Sequence, residues 1–194
     1  MKITLVDFTA DPLWAISWAA RTCYSSRDKD AIQTREGFVK GLIKNRHETP
    51  LEFAHATFDI EGVSRALLSQ LTRHRIGVSF CVQSQRYVDV KDAEFVMPYK
   101  AAQATDACYD FVKSAKKFYS TLVENDVPKE DARMFLPMGI STNIAMCVNF
   151  RELRHILSLR LDKHAQWEIR RLCLEIYKIC QQRWPWLVED IKYE

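Results

Sequence analysis

The stretch EFAHATFDIEGVSRALLSQLTRHR, residues 52–75, changes its period halfway along, and that change decides the fold class. From Glu52 to Ile60 apolar and polar positions alternate, with Ala54, Ala56, Phe58 and Ile60 on one face and Phe53, His55, Thr57 and Asp59 on the other. This is the period of a half-buried strand. Past Glu61 and Gly62 the positions Val63, Ala66, Leu67, Gln70, Leu71 and His74 recur at i, i+3, i+4, i+7, i+8 and i+11, which is a helical stripe. A strand feeding a core helix predicts an α+β chain, and the helix carries Gln70 and His74 toward its C-terminal end.

Working outward, Met1 to Asp7 reads as a short strand. Asp11 and Pro12 supply a cap and a first-turn proline for a helix through Trp14, Ile16 and Trp18 that ends near Cys23. A second helix is expected over 30–45, stopped by Thr49-Pro50. Downstream, Ser79 to Val90 returns to strand, placing Phe80, Val82, Ser84, Arg86 and Val88 on one face, so that Ser84 and Arg86 project together. A long helix over 101–124 has Phe111, Ala115, Phe118 and Leu122 as its stripe, and a short one runs from Pro128 to Phe135. Ser141 to Val148 alternates as a strand. Phe150 to Leu159 is helical, with Arg151, His155 and Leu159 stacked on one face, and Asp162 is the expected cap of a last helix from about His164 to Arg183. With no repeat, low-complexity tract or linker, residues 1–194 are expected to form a single domain.

Composition narrows the function. Hydrophobic residues at 47% along the whole chain exclude a disordered protein. A formal net charge of only +3 gives no reason to invoke nucleic acid or a membrane surface, so any anion must be held by a local cluster. The six cysteines form no C-x-x-C pair and no secretory pattern opens the chain, which points to reduced thiols and a cytoplasmic protein. No apolar run approaches the roughly 20 residues that cross a bilayer.

Three polar clusters could carry chemistry. Arg73-His74-Arg75 stands at a helix end with Arg86 beyond it, a density of guanidinium groups suited to phosphate, although such a helix end also simply complements the helix dipole. His47-Glu48-Thr49-Pro50 with Glu52 gathers an imidazole, a hydroxyl and two carboxylates at a helix-to-strand junction, and reads equally as a turn. No metal is expected there, because no H-x-x-x-H or H-E-x-x-H helix accompanies it. Arg160 to Trp167 groups four polar functions with an aromatic between two helices, either a buried network or a capped surface turn. No cysteine has the context of a nucleophile, and Ser84 lacks a G-x-S-x-G elbow, so its hydroxyl reads as a hydrogen-bonding group.

Taken in order, these clusters resemble the flavin-dependent thymidylate synthases. The resemblance runs through Ala19-Ala20-Arg21-x-Cys23-Tyr24, His47-Glu48-Thr49-Pro50-x-Glu52, Arg73-His74-Arg75, Ser84-x-Arg86-Tyr87, Ala132-Arg133-x-x-Leu136-Pro137 and Asn149-x-Arg151. It continues in Leu159-Arg160-x-Asp162-x-x-Ala165-Gln166-Trp167-Glu168, and so covers nearly the whole chain. It implies an α+β fold with a mixed, largely antiparallel sheet packed against several helices, of the thymidylate synthase complementing protein type. It also implies a homotetramer with its sites between subunits.

By the same resemblance Thr49, Arg73, His74, Arg75, Asn149, Arg151, His155 and His164 would line an FAD site. Gln70, Ser84, Gln85, Arg86, Arg133 and Arg160 would hold dUMP, with Arg86 on the phosphate, and Arg160 and Ser84 would stand at the reacting uracil. His47 would lie near the flavin face open to folate and NADPH. The implied reaction is the reductive methylation of dUMP to dTMP, with methylenetetrahydrofolate as carbon donor and NADPH-reduced FAD as hydride source. A silent flavin or nucleotide binder is the alternative. Two departures touch the dUMP side: eight residues, Ile76 to Gln83, separate the triplet from Ser84 where seven are common, and Cys81-Val82 stands where the family often has Asn-Glu. The extra residue would be absorbed by a bulge or by a turn at Gly77.

Overall fold

The computed structural model describes residues 1–193. In chain order its elements are β1 (Lys2–Phe8), α1 (Pro12–Thr22), α2 (Ile32–Lys44), β2 (His55–Ser64), α3 (Arg65–Leu71), β3 (Val78–Val82), α4 (Tyr99–Ala104), α5 (Ala107–Glu124), α6 (Lys129–Ala132), β4 (Ser141–Asn149), α7 (Phe150–Arg160), α8 (Trp167–Arg183) and α9 (Pro185–Val188). Short 3-10 turns cover Arg27–Lys29, Thr49–Phe53 and Arg133–Phe135. The four strands make one antiparallel sheet in the order β1-β2-β4-β3, an α+β fold. Bonds from Gln83 N to Asn143 O (2.9 Å) and from Asn149 N to Gly77 O (2.8 Å) bracket the pairing of β3 with β4. No helix among the described residues is long and apolar enough to cross a membrane.

The chain divides into two compact units. The first comprises Met1–Lys2, Ile60–Leu71 and Cys81–Ile144. One cluster of its buried residues is Val90, Tyr119 and Ala132, flanked by Leu122, Val123, Val127 and Leu136. The continuous helix expected over 101–124 is instead two. Thr105 is extended (φ −170°, ψ 143°) and its Oγ1 accepts from Ala107 N, the local side-chain bond by which Thr competes with a helix. The core residue of α5 is Tyr119, fully buried, whereas Phe111 and Phe118 of the expected stripe are 62% and 47% exposed. Phe118 packs edge-on against Phe135 at 5.1 Å.

The second unit comprises Ile3–Asp59, Thr72–Phe80 and Ala145 onward. Asp11 caps α1 by accepting from Trp14 N, as the sequence predicts. Helices α1 and α2 are tied by a polar knot: Ser17 Oγ donates to Asp30, Arg35 Nη2 bonds Asp30 at 2.7 Å, and buried Arg21 lies 3.6 Å from the same carboxylate. Arg21 therefore holds the fold here, its guanidinium also covering the Phe38 ring at 4.3 Å. Around Phe150, the rings of Trp184 (4.8 Å) and Trp186 (6.1 Å) dock the C-terminal turn onto α7. The cap of α8 is Gln166, whose Oε1 accepts from Glu168 N and Ile169 N, and not Asp162. Asp162 closes a tighter turn by accepting from His164 N, so α8 starts three residues later than its expected His164.

Candidate functional site

His74 does not lie on α3. The helix ends at Leu71, and the triplet falls in the connection to β3. There the three side chains divide: His74 is 6% exposed, while Arg73 and Arg75 on either side are exposed. His74 Nδ1 is 2.8 Å from Glu152 Oε1 in the first turn of α7, and Arg160 Nε donates to His74 Nε2 at 3.2 Å from the last turn of the same helix. The His155 ring packs edge-on against it at 5.8 Å. Burial pushes the His74 pKa below the usual histidine value, with Arg160 and His155 adding to that and the Glu152 carboxylate opposing it, so the imidazole is neutral at pH 7.

The same connection is fastened a second time. Gly77 adopts φ +73°, a conformation open to glycine, and its carbonyl accepts from Asn149 N. Asn149 in turn caps α7, its side chain accepting from Glu152 N at 2.9 Å. Helix α7 thus holds the connection at both His74 and Gly77, and of the two expected ways to absorb the extra residue, a bulge or a turn at Gly77, the chain shows a positive-φ turn at Gly77. On its outer face Arg151 and His155 are exposed, as their spacing predicts, and Arg151 Nη1 pairs with Glu52 Oε1 at 2.5 Å. Thr49, His47 and His164 are also exposed. Glu48 and His155 line an open cleft of about 1130 Å³ together with Lys40, Lys44 and Arg46.

Among the described residues, His74, Glu152 and His155 offer ligand atoms within 4.8 Å of one another, a set that could in principle take a divalent cation. The bond from Arg160 opposes this. A guanidinium only donates, so His74 Nε2 must accept and the proton sits on Nδ1, the atom a shared cation would need.

In the first unit, strand β3 stops at Val82, and Ser84 and Arg86 do not share a strand face as expected. The segment leaves the sheet after Gln83 and returns to β4 at Glu94 and Phe95, where Ser141 N bonds Glu94 O at 2.9 Å and Phe95 bridges Ile140. A turn replaces the strand: Val88 N bonds Ser84 O, and Ser84 Oγ accepts from Arg86 N at 3.2 Å, so hydroxyl and guanidinium still belong to one local motif. Arg86 pairs with the Glu130 carboxylate, Arg133 Nε donates to the Glu130 carbonyl at 3.1 Å, and Arg65 feels the Arg133 charge, which together with burial lowers its pKa. One guanidinium thus pairs with the Glu130 carboxylate, a second bonds the same residue's backbone carbonyl, and the third, Arg65, feels the charge of the second. Gln85 between Ser84 and Arg86 is 6% exposed, and its buried Nε2 has no hydrogen-bond partner. Gln70 lies on α3 in this unit, and Arg160 lies in the other.

Glu152 and Arg65 were not singled out by the sequence. Glu152 had one usable signal, its place three residues after the N-cap Asn149, the spacing of a capping box. Arg65 is an isolated arginine after Ser64, and nothing local distinguishes it.

The thymidylate synthase complementing protein family has a sequence model that matches residues 4–186. The chain belongs to this family. It is 39% identical to the flavin-dependent thymidylate synthase of Geobacter sulfurreducens, over 98% of this chain and 86% of the relative. It is 32% identical to that of Haloarcula marismortui, over 100% and 96%, and 35% identical to that of Pyrococcus furiosus, over 94% and 80%.

Proposed function

We propose that this chain is a flavin-dependent thymidylate synthase that methylates dUMP to dTMP with methylenetetrahydrofolate as carbon donor and NADPH as reductant. The observation that carries the reading is the bond between His74 and Arg160. It joins the triplet expected at the flavin to the guanidinium expected at the uracil. The residues suit a cofactor with two phosphates and a flat ring system: Arg73 and Arg75 are exposed on either side of an anchored His74, and Arg151 and His155 share the outer face of α7. Thr49, Asn149 and His164 complete the proposed FAD set, and His47 the approach for folate and NADPH. Bound FAD would pass on the hydride that completes the methyl group.

The chain's own residues orient and polarise. Arg86 and Arg133, with Arg65, form a cationic cluster suited to the dUMP phosphate, and the unpaired Nε2 of buried Gln85 suits an acceptor on the nucleotide. Gln70 and Ser84 would add hydrogen bonds. Arg160, always protonated, would draw electron density from the uracil carbonyl and so activate the carbon that gains the methyl group. Chains of this family reading would assemble as homotetramers, consistent with the exposed Phe111, Met134 and Tyr109 of the first unit, and would act in the cytoplasm.

Purified protein with added FAD is expected to be yellow and to release tritium from dUMP labelled at the methyl-accepting carbon when methylenetetrahydrofolate and NADPH are supplied. Replacing Arg160 with Ala should keep the flavin and lower release by about 100- to 1,000-fold. Bound flavin without release in the unaltered protein would favour a silent binder and overturn the proposal.

A further inference from the structure

We propose that Glu152 is a positioning residue for Arg160, acting through the His74 ring, an inference that rests on the reading of Arg160 as the uracil-polarising group. The logic begins with the one partner whose protonation is not adjustable. Arg160 Nε carries hydrogen at any accessible pH and points it at His74 Nε2, 3.2 Å away. That nitrogen must therefore present its lone pair. The ring is held in the tautomer with its proton on Nδ1, and the group that rewards this tautomer is the Glu152 carboxylate at 2.8 Å. Without an acceptor at Nδ1 the alternative tautomer would set an N–H against the Arg160 N–H.

Glu152 is itself fixed. Its backbone N–H is bound by the Asn149 cap, and its carboxylate is largely buried, as is the His74 ring. The sequence Asn149, Glu152, His74, Arg160 is thus a rigid run of donors and acceptors that ends on the guanidinium. A buried, charge-assisted bond of this kind sets an orientation more firmly than a solvated one. Because Nε is engaged by the protein, the plane of the guanidinium is set before any nucleotide arrives. Pre-set orientation of a polarising group acts on the chemical step more than on ground-state binding.

The test uses the full-length protein with its histidines labelled with 15N, five rings in all, His74 being assigned with a His74→Asn variant. Ring-nitrogen shifts are read in the unaltered protein, in Glu152→Ala and in Glu152→Gln, and flavin content, kcat and KM for dUMP are measured on the same samples. The unaltered protein should show His74 protonated at Nδ1 alone. Glu152→Ala should lose that single tautomer and drop kcat about 100-fold with a much smaller change in KM. Glu152→Gln, whose amide oxygen still accepts, should keep the tautomer and recover most of kcat. It should also move the acid limb of the rate profile to lower pH, since the carboxylate that raises the His74 pKa is gone while Arg160 and His155 still face the ring. A proton on Nε2 in the unaltered protein, or full kcat in a flavin-loaded Glu152→Ala enzyme, overturns the inference. If the unaltered protein releases no tritium, the proposed function fails, and the ring shifts of the three proteins still decide whether Glu152 sets the tautomer.

Discussion

Gly77→Ala is the change from which the tie between the triplet connection and α7 can be measured. Gly77 sits at φ +73°, where an L side chain costs about 1–2 kcal/mol. A Cβ built there would lie 2.8 Å from Asn149 Cγ and 2.9 Å from its Oδ1, closer than packed atoms tolerate. The Asn149 side chain must therefore swing away, and in doing so it abandons the cap on Glu152 N, a loss of about 1 kcal/mol. Together the two effects predict about 2–3 kcal/mol of destabilisation, or a fall in Tm of about 4–12 °C for a chain of this size. The assay is thermal or urea unfolding at fixed protein concentration of Gly77→Ala, Asn149→Ala and the double variant. Asn149→Ala alone should cost the cap, about 1 kcal/mol. The double variant should be no less stable than Gly77→Ala, because the cap is already lost there. Strict additivity of the two single changes, or a neutral Gly77→Ala, would refute the steric coupling.

Three further outcomes follow from the same structure. Arg151→Ala should leave Tm nearly unchanged, since its pair with Glu52 is exposed on both sides and worth about 0–1 kcal/mol, yet should weaken FAD retention on a desalting column. Stability should fall on acidification in two stages. The folded His74 pKa lies below 6.5, so the unfolded chain takes up the proton first and stability is lost as pH drops below that value. The Asp30 carboxyl, held down by Arg35 and Ser17, and the Asp190 carboxyl, held down by Arg154, contribute stability that is present above pH 3.8 and lost as pH falls through their lower folded values, which urea titrations across pH would resolve. Cys173 and Cys180, pushed up to about 12 by burial, should resist thiol reagents until the chain is unfolded, as a mass shift would report.

The parts of the fold legible in the sequence are those set by neighbours two to four residues away. Ala54, Ala56, Phe58 and Ile60 are all fully buried, as their alternation requires, and α1 and α7 begin where polar caps precede an apolar run. The misread segments failed where a competing local bond or an absent partner overrode the period. Thr105 uses its hydroxyl on Ala107 N and breaks one helix into two. Residues 84–90 alternate like a strand but have no strand beside them, and alternation without a partner folds as a turn held by Ser84.

The candidate site divides along the same line. Which residues carry cations was readable, because Arg73, Arg75, Arg151 and Arg160 sit in recognisable runs. What those cations are fastened to was not, since His74 meets Glu152 across 78 residues of chain and Arg160 across 86. No periodicity reaches that far, and a histidine between two arginines looks like a third cation in solvent. Its burial against α7 reverses that expectation. The ring is neutral, donates to a carboxylate, accepts from the Arg160 guanidinium, and so works as the fixed joint between α7 and the connection that carries two exposed arginines.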